Sequence, residues 1–265
     1  MTDEFSHIDK PLPSPAEASL PAGPTRPDGA DSEQPLLRAD TLFCERDERI
    51  LFDQLSFDLH AGQLMQIRGS NGSGKTTLLR ILCGLNQDYE GDLYWQGEPI
   101  VEQRDVFQSA LLYIGHRTGV NRILTPRENL AWSSALQAPA SQDQIGDALT
   151  RVGLRGYDEV PCRNLSAGQT QRVALARLLI SPARLWILDE PFTTLDVNGV
   201  RMLEGLLVEH VKNAGAVLVT THHPLNVDHT LLQLNLDDEV PSPVALDAAP
   251  AAGDSGRQSL SCGAP

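Results

Sequence analysis

Cysteine is scarce in this sequence, and long apolar runs are absent. The four cysteines form neither a C-x-x-C pair nor a spacing typical of a metal site; they are Cys44, Cys83, Cys162 and Cys262. Their scatter favours buried, reduced thiols over a disulfide-bonded secreted fold. No apolar run approaches the roughly 18 residues that indicate a helix across a bilayer. The N-terminus lacks a basic stretch followed by an apolar one, so we expect no secretory signal.

Basic residues are also few. Lys and Arg number 21 against 35 Asp and Glu, which gives a formal net charge of −14. A nucleic-acid groove needs clustered Lys and Arg to neutralise phosphates, so this balance argues against a nucleic-acid partner. It argues equally against attachment to a lipid surface through basic residues alone.

The acidic excess and the prolines are concentrated at the two ends. Residues 1–37 carry a net charge of −5 and residues 235–265 a net charge of −4, and together they hold 11 of the 18 prolines. Both segments lack the bulky apolar residues whose burial would offset the entropy of ordering them. We therefore predict disordered tails at 1–37 and 235–265, and we favour plain solvated tails over docking or regulatory segments. The folded domain is expected at 38–234.

The central part alternates short apolar strands with helical patterns. Strands are predicted at 55–60, 63–69, 111–115, 185–189 and 216–221. Helices are predicted at roughly 74–84, 126–138, 142–153, 167–180 and 198–213. This alternation indicates an α/β domain with a mainly parallel sheet, in which ligands bind beyond the carboxyl ends of the strands. The stretch from about 118 to 165 is expected to form a small helical subdomain.

A glycine-rich loop follows the second of these strands and fits G-x-x-x-x-G-K-[ST]. Its residues are Gly69, Ser70, Asn71, Gly72, Ser73, Gly74, Lys75 and Thr76. The glycines allow a tight turn whose N–H groups converge on a phosphate, and the helix N-terminus adds partial positive charge. Lys75 can reach the β- and γ-phosphates, and the hydroxyl of Thr76 can ligate Mg²⁺. We add Thr77 to the predicted ATP-binding residues; the alternative is a chance glycine-rich turn.

The strand at 185–189 ends in two carboxylates. Asp189 suits a second Mg²⁺ contact, and Glu190 suits the orientation or deprotonation of a water that attacks the γ-phosphate. By itself an Asp-Glu pair after a strand is usually a solvated turn, but the phosphate loop upstream favours the catalytic interpretation.

A third motif, Leu-Ser-Ala-Gly-Gln, opens the helix predicted at 167–180. It comprises Leu165, Ser166, Ala167, Gly168 and Gln169. Taken in order with the phosphate loop, the LWILDE strand, Leu195-Asp196 and His222, it resembles the nucleotide-binding subunit of ABC transporters over about 38–234. The resemblance implies a P-loop NTPase of the ABC ATPase type, with a mainly parallel sheet core, an antiparallel β part and a small helical subdomain.

The same resemblance implies a head-to-tail homodimer with two ATP molecules at its interface. Ser166 and the N–H of Gly168 would then contact the γ-phosphate bound to the other subunit. Asp196 matches the loop that links the two sites, and His222 matches a switch histidine that contacts the γ-phosphate and the water; a surface turn is the alternative for His222. His223 has no role by position.

Two positions depart from the usual ABC pattern. His116 stands where most relatives have a glutamine, and its imidazole can ligate Mg²⁺ or bond a water; a purely structural histidine is the alternative. Arg46 stands where an aromatic usually stacks on adenine. Its guanidinium plane can stack on a base, although an exposed arginine at a strand end is equally consistent with the sequence.

Longer stretches are similar to the ATP-binding export subunits of cytochrome c biogenesis. They are CERDERILF, YIGHRTGV, LTPRENL, LWILDEPFTTLDVNGV and TTHHPLNV. This similarity implies an ATPase, with Mg²⁺ and ATP, that drives haem export or the release of a haem-loaded chaperone. It also implies integral membrane partner subunits and a peripheral place at the cytoplasmic face of the bacterial inner membrane. The segment after His116, through about Glu128, is the predicted contact with those partners.

Three other functions are left open. The chain can be the ATPase of a transporter for another solute, such as a drug or lipid. It can be a soluble ABC protein of translation or DNA repair, although a single phosphate loop and an acidic chain argue against this. A non-hydrolysing ATP-sensing scaffold is opposed by the presence of Glu190 and His222.

Overall fold

Two sheets form the β part of the computed structural model, in which residues 34–135 and 138–238 are described. Within these residues the strands are β1 (Leu37–Arg46), β2 (Arg49–Leu59), β3 (Leu64–Arg68), β4 (Glu90–Trp95), β5 (Glu98–Pro99), β6 (Leu111–Ile114), β7 (Leu185–Asp189), β8 (Ala216–Thr220) and β9 (Leu231–Asn235). The α-helices are α1 (Lys75–Leu82), α2 (Arg104–Ala110), α3 (Pro126–Ser134), α4 (Gln142–Arg151), α5 (Ala167–Ile180) and α6 (Val197–Lys212). Most of the two predicted tails, 1–33 and 239–265, lies outside the described residues.

The larger sheet has the order β6-β7-β8-β3-β9, and all its neighbouring strands run parallel. Strands β7 and β8 are buried along their whole length, because helices or the second sheet cover both faces. In the register, Asp189 of β7 and Ile67 of β3 both pair with Thr220 of β8. The carboxyl ends of three central strands therefore meet at one edge of the sheet.

The smaller sheet is antiparallel, with the order β2-β1-β4-β5. Its apolar face shares one core cluster with α1 and with one face of the parallel sheet; Phe52, Leu79 and Leu218 belong to it. Helix α1 thus packs between the two sheets. The opposite face of the parallel sheet packs on α5 and α6 through a second cluster.

A separate apolar cluster joins α3, α4 and one face of α5. Each of these helices begins with a capping box, formed by Thr125 with Glu128, Ser141 with Gln144, and Ser166 with Gln169. This is the predicted small helical subdomain, and the long helix α5 connects its core to that of the parallel sheet. Among the described residues no helix combines the length and apolar character that crossing a membrane requires.

The predicted α/β fold with a mainly parallel sheet is confirmed, and each predicted strand and helix has a counterpart. The packed part of the chain extends slightly beyond the expected bounds. Leu36 and Leu37 are buried at its start, and Leu236 is fully buried at its end. Three of the four cysteines are buried and free, namely Cys44, Cys83 and Cys162, whereas Cys262 lies outside the described residues.

Candidate active site

The phosphate loop connects β3 to α1. Gly74 lies at the N-cap of α1 with φ of +97°, and a Cβ there would sit 3.1 Å from the Cβ of Leu51, so this position requires glycine. The N–H of Ser73 donates to the carbonyl of Ser70 at 3.1 Å, which closes the turn. The hydroxyl of Ser73 is buried without a hydrogen-bond partner among the described residues. A buried, unsatisfied hydroxyl inside a loop of converging N–H groups fits an anion-binding cradle.

Lys75 spans this loop from the first turn of α1. Its Nζ donates to the carbonyl oxygens of Gly69 at 2.8 Å and Ser70 at 2.9 Å. The ammonium group is therefore held over the loop, where a bound phosphate chain would compete for it with two neutral acceptors. A hydrogen bond between an ammonium group and a charged phosphate oxygen is stronger than one to a neutral carbonyl. Nζ of Lys75 can therefore leave the two carbonyls and bond to the phosphates of a nucleotide.

Asp237 holds the start of the same loop. Its carboxylate accepts from the N–H of Ser70 at 2.9 and 3.1 Å and from the Ser70 hydroxyl at 3.0 Å. These bonds lower the pKa of Asp237, and the charges of Lys75 and Arg49 act in the same direction. Asp237 falls in the segment expected to be a C-terminal tail, so sequence reasoning missed it. It follows β9, and fully buried Leu236 anchors it.

Asp189 is a buried carboxylate at the end of β7. Its Oδ2 accepts from the hydroxyl of Thr76 at 3.0 Å, and its Oδ1 accepts from the hydroxyl of Thr220 at 2.7 Å. The first bond joins the two residues that the sequence predicts as Mg²⁺ ligands, and both offer the hard oxygen donors that Mg²⁺ prefers. Thr220 was not predicted; it comes next to Asp189 because β8 pairs with β7.

Glu190 follows Asp189 in a left-handed backbone conformation, with φ of +50°. Its N–H donates to the carbonyl and the hydroxyl of Thr220 at 3.1 and 3.0 Å, which fixes the turn. Its Oε1 is buried without a hydrogen-bond partner among the described residues. The same oxygen lies 3.5 Å from Nε2 of His222, so the two predicted catalytic side chains are neighbours.

A cleft of about 690 Å³ brings most of the predicted site together. We call it the phosphate-loop cleft; the predicted site residues that line it are Arg46, Asn71, Gly72, Gly74, Lys75, Thr76, Thr77, His116, Asp189, Glu190 and His222. Gly69 and Ser70 line an adjoining cleft that also contains Asp237 and shares Lys75 and His222. Arg46 is highly exposed at the end of β1, with Nε 3.6 Å from Asp47.

The signature residues lie apart from the phosphate-loop cleft of their own chain. Ser166 caps α5, where its hydroxyl accepts from the N–H of Gln169 at 3.2 Å and Gln169 Oε1 accepts from the N–H of Ser166 at 2.9 Å. Leu165 and Ala167 line a neighbouring cleft that also includes His116 and Glu190. A Cβ on Gly168 would lie 2.8 Å from the carbonyl oxygen of Thr194, so only glycine fits there.

Asp196 caps the next helix. Its Oδ1 accepts from the N–H of Gly199 at 2.8 Å and from the guanidinium of Arg172 on α5. The bond from Gly199, followed by the charge of Arg172, lowers the pKa of Asp196. Asp196 therefore connects the signature helix α5 to the start of α6.

Comparisons with known proteins agree with this geometry. The family described as ABC transporter matches residues 52–193. A cytochrome c biogenesis ATP-binding export protein of Hahella chejuensis is 50% identical over 204 residues, covering 77% of this chain and 97% of the relative. A protein of the same name from Pseudomonas putida is 55% identical over 189 residues, covering 71% and 90%.

The fold also matches solved structures. A bacterial ABC transporter cassette, solved as a dimer, superposes with a TM-score of 0.66 at 21% identity and covers 76% of this chain and 94% of that one. At this identity the likeness concerns the fold alone. Together with the family match and the close relatives, it shows that the chain belongs to the family of ABC transporter ATP-binding proteins.

Proposed function

We propose that the chain is the ATP-hydrolysing subunit of a membrane complex for cytochrome c maturation, which exports haem or releases a haem-loaded chaperone. One observation carries the hydrolytic part: the unbonded Oε1 of Glu190 lies 3.5 Å from His222 on the cleft that contains the phosphate loop. The close relatives named for cytochrome c biogenesis support the biological part.

Thr76 and Asp189 are the residues that would hold Mg²⁺ with ATP. Among the described residues, no group of three or more His, Cys, Asp or Glu could cage a metal ion. Such a cage is not needed, because Mg²⁺ is commonly held by one or two protein oxygens together with substrate phosphates and water. When bound, the ion neutralises charge on the phosphate oxygens.

Hydrolysis then depends on this chain's own side chains. Glu190 accepts a proton from the water whose oxygen attacks the γ-phosphorus, and the bond between that phosphorus and the leaving oxygen of ADP breaks. His222 holds the water and the γ-phosphate in place. Lys75 leaves the two loop carbonyls for the phosphates. His116 follows the carboxyl end of β6 and lines both the phosphate-loop cleft and the neighbouring cleft of Leu165 and Ala167. It takes the place of the usual glutamine and bonds to the water or the metal.

The complete site is proposed to need a second copy of the chain. Ser166 and Gly168 do not line the phosphate-loop cleft of their own chain, which supports their contact with ATP bound to a partner subunit. The N-terminus of α5 then directs its N–H groups at the γ-phosphate. Solved ABC cassettes of the same fold were obtained as dimers.

The contact with membrane subunits is proposed for the segment after His116 through Glu128, together with the rest of helix α3. Ile123 and Trp132 are 74% and 70% exposed, the two highest values among the large apolar side chains of the described residues. Arg117 and Arg122, in the same segment, are also exposed. We expect charge reversal of both arginines to reduce co-purification with membrane subunits, whereas reversal of exposed Arg201 on α6 serves as the control. Undiminished assembly of the double variant would contradict this surface.

Complementation tests the biological function. In a bacterium that lacks its own cytochrome c biogenesis ATP-binding subunit, expression of this chain should restore haem-stained c-type cytochromes, and the Glu190→Gln variant should not. Failure of the wild-type chain, expressed at the level of the native subunit, would favour a transporter for another solute such as a drug or lipid.

A further inference from the structure

Glu204 is a carboxylate buried on helix α6, behind the loop that carries His222. Its side chain is only 11% exposed, and its neighbours Leu203, Leu206 and Leu207 belong to the apolar core. Its Oε1 accepts from the N–H of Asn226 at 2.8 Å. Burying a carboxylate among leucines is costly unless it is hydrogen-bonded, so this contact fixes where the backbone of the loop can lie.

The loop is also held close to His222 itself. His223 places its Nε2 3.9 Å from Oε1 of Glu204, and its backbone N–H donates to the hydroxyl of Thr221 at 2.9 Å. Its ring stacks on that of Phe192, with centroids 5.4 Å apart. Before His222, the carbonyl of Thr221 accepts from Nε2 of Gln66 on β3 at 3.1 Å, so contacts fix the loop on both sides of His222, at Thr221 before it and at His223 and Asn226 after it.

The same network reaches the proposed general base. Phe192 is buried and follows Glu190 by two residues, so the turn of Glu190 and the loop of His222 contact each other through Phe192 and His223. The 3.5 Å separation of Glu190 and His222 depends on the relative position of these two segments. Most of His222 is exposed, with 64% of its side chain accessible, so contacts of its own side chain contribute little to fixing it.

We propose that Glu204 is a positioning residue for ATP hydrolysis, which holds the Thr221–Asn226 segment so that His222 stays beside Glu190. The inference rests on the proposed function of Glu190 and His222. Glu204 does not line the phosphate-loop cleft, so it is not a catalytic residue. His223, to which the sequence assigns no role by position, then acts as the second contact between this loop and its support.

This role predicts a separation of kinetic constants. Most of the contacts to ATP are proposed for the phosphate loop and Lys75, which Glu204 does not contact, whereas the chemical step needs His222 in place. Loss of the positioning contact should therefore lower kcat and leave the KM for ATP unchanged. A residue that only stabilised the fold would lower the apparent kcat in proportion to the fraction of inactive protein, so kcat is expressed per ATP-binding site, counted by nucleotide titration of each variant.

The test uses the full-length chain with steady-state ATPase kinetics and amide hydrogen exchange. Glu204→Gln keeps an oxygen that accepts from Asn226 and should retain kcat within about twofold. Glu204→Leu removes the acceptor and should lower kcat about tenfold or more, at unchanged KM, with faster exchange at the Asn226 amide. Glu209→Leu is the matched control, because Glu209 lies on the same helix but is exposed and pairs with Arg151.

A second variant covers the case in which Glu204→Leu does not fold. Glu204→Asp keeps the charge but is one methylene shorter, so it should also lower kcat at constant KM. Wild-type kcat in either folded variant, or a KM that rises in parallel, would overturn the positioning role. Suppose that the wild type hydrolyses ATP, that Glu190→Gln does not, and that the Glu204 variants match the wild type. The positioning role of Glu204 is then refuted, whereas the proposed catalytic role of Glu190 stands. If Glu190→Gln is fully active, both the proposed catalytic role of Glu190 and the positioning role of Glu204 are refuted.

Discussion

Thr220 is fully buried at the end of β8 and is bonded to both residues of the Asp189-Glu190 pair. Replacement by valine keeps the shape of the side chain and removes only the hydroxyl. Oδ1 of Asp189 then loses its bond at 2.7 Å and retains no substitute from the described residues, whereas Oδ2 keeps its bond to Thr76. The N–H of Glu190 keeps the carbonyl of Thr220 as an acceptor at 3.1 Å.

The hydroxyl also accepts from the N–H of Glu190 at 3.0 Å, but that donor keeps the carbonyl, so the magnitude follows mainly from the lost bond to Asp189. A hydrogen bond to a charged, buried group contributes about 1.5–3 kcal/mol, so Thr220→Val should lower the free energy of unfolding by about 2 kcal/mol. For a domain of this size that corresponds to a decrease in Tm of about 4–8 °C. Because only the bond to Thr76 then orients Asp189, we also expect the Mg²⁺ concentration for half-maximal ATPase activity to rise several-fold.

Thermal unfolding followed by circular dichroism, together with a Mg²⁺ titration of ATPase activity, measures both effects. Thr150→Val, at an exposed position of α4, is the matched control and should change stability by no more than about 0.5 kcal/mol. Thr220→Ser keeps the hydroxyl and should retain the Mg²⁺ response. A Thr220→Val variant with the stability and Mg²⁺ response of the wild type would refute the assigned role of this hydroxyl.

Three further predictions concern other parts of the fold. Burial lowers the pKa of His210, so this side chain binds a proton more readily in the unfolded chain than in the folded one. The contribution of His210 to thermal stability should therefore be complete above pH 6.5 and decrease as the pH falls below it. In His210→Phe the Tm should fall less steeply with decreasing pH. Gly168→Ala would place a Cβ 2.8 Å from the Thr194 carbonyl, so it should cost about 1–3 kcal/mol of stability and reduce ATPase activity about tenfold or more; wild-type turnover would contradict this packing. Burial raises the pKa of the three described thiols, which are those of Cys44, Cys83 and Cys162. A thiol reagent should therefore label none of the three in the native protein and all of them after denaturation. Labelling of any of the three in the native protein would contradict their burial.

The parts of the fold that the sequence predicts well have strong local signals. The strands at 185–189 and 216–221 are continuous apolar runs, and three helix starts carry an S/T-x-x-E/Q box that can be recognised in the amino-acid sequence by itself. Helix α2 has no such signal. It buries only Phe107 and was not predicted, because a short helix with one core residue shows no clear period.

The residues of the candidate site also fall into two groups, those with a local sequence signal and those without one. The motif residues at 69–76, Asp189, Glu190 and His222 could be named because each lies in a recognisable local pattern. Thr220 could not, since its partner lies 31 residues away and is reached only through strand pairing. Asp237 contacts Ser70 across 167 residues, and its acidic, proline-rich surroundings are typical of a tail. Contacts set by strand register and long-range packing carry no local signal.

The most direct test of the account is a comparison of the wild-type chain with Glu190→Gln. Phosphate release and size-exclusion chromatography are measured with ATP and Mg²⁺. We predict that the wild type hydrolyses ATP, and that the variant releases phosphate at least about a hundredfold more slowly while accumulating an ATP-dependent dimer. A Glu190→Gln variant that hydrolyses ATP at the wild-type rate would contradict the central claim.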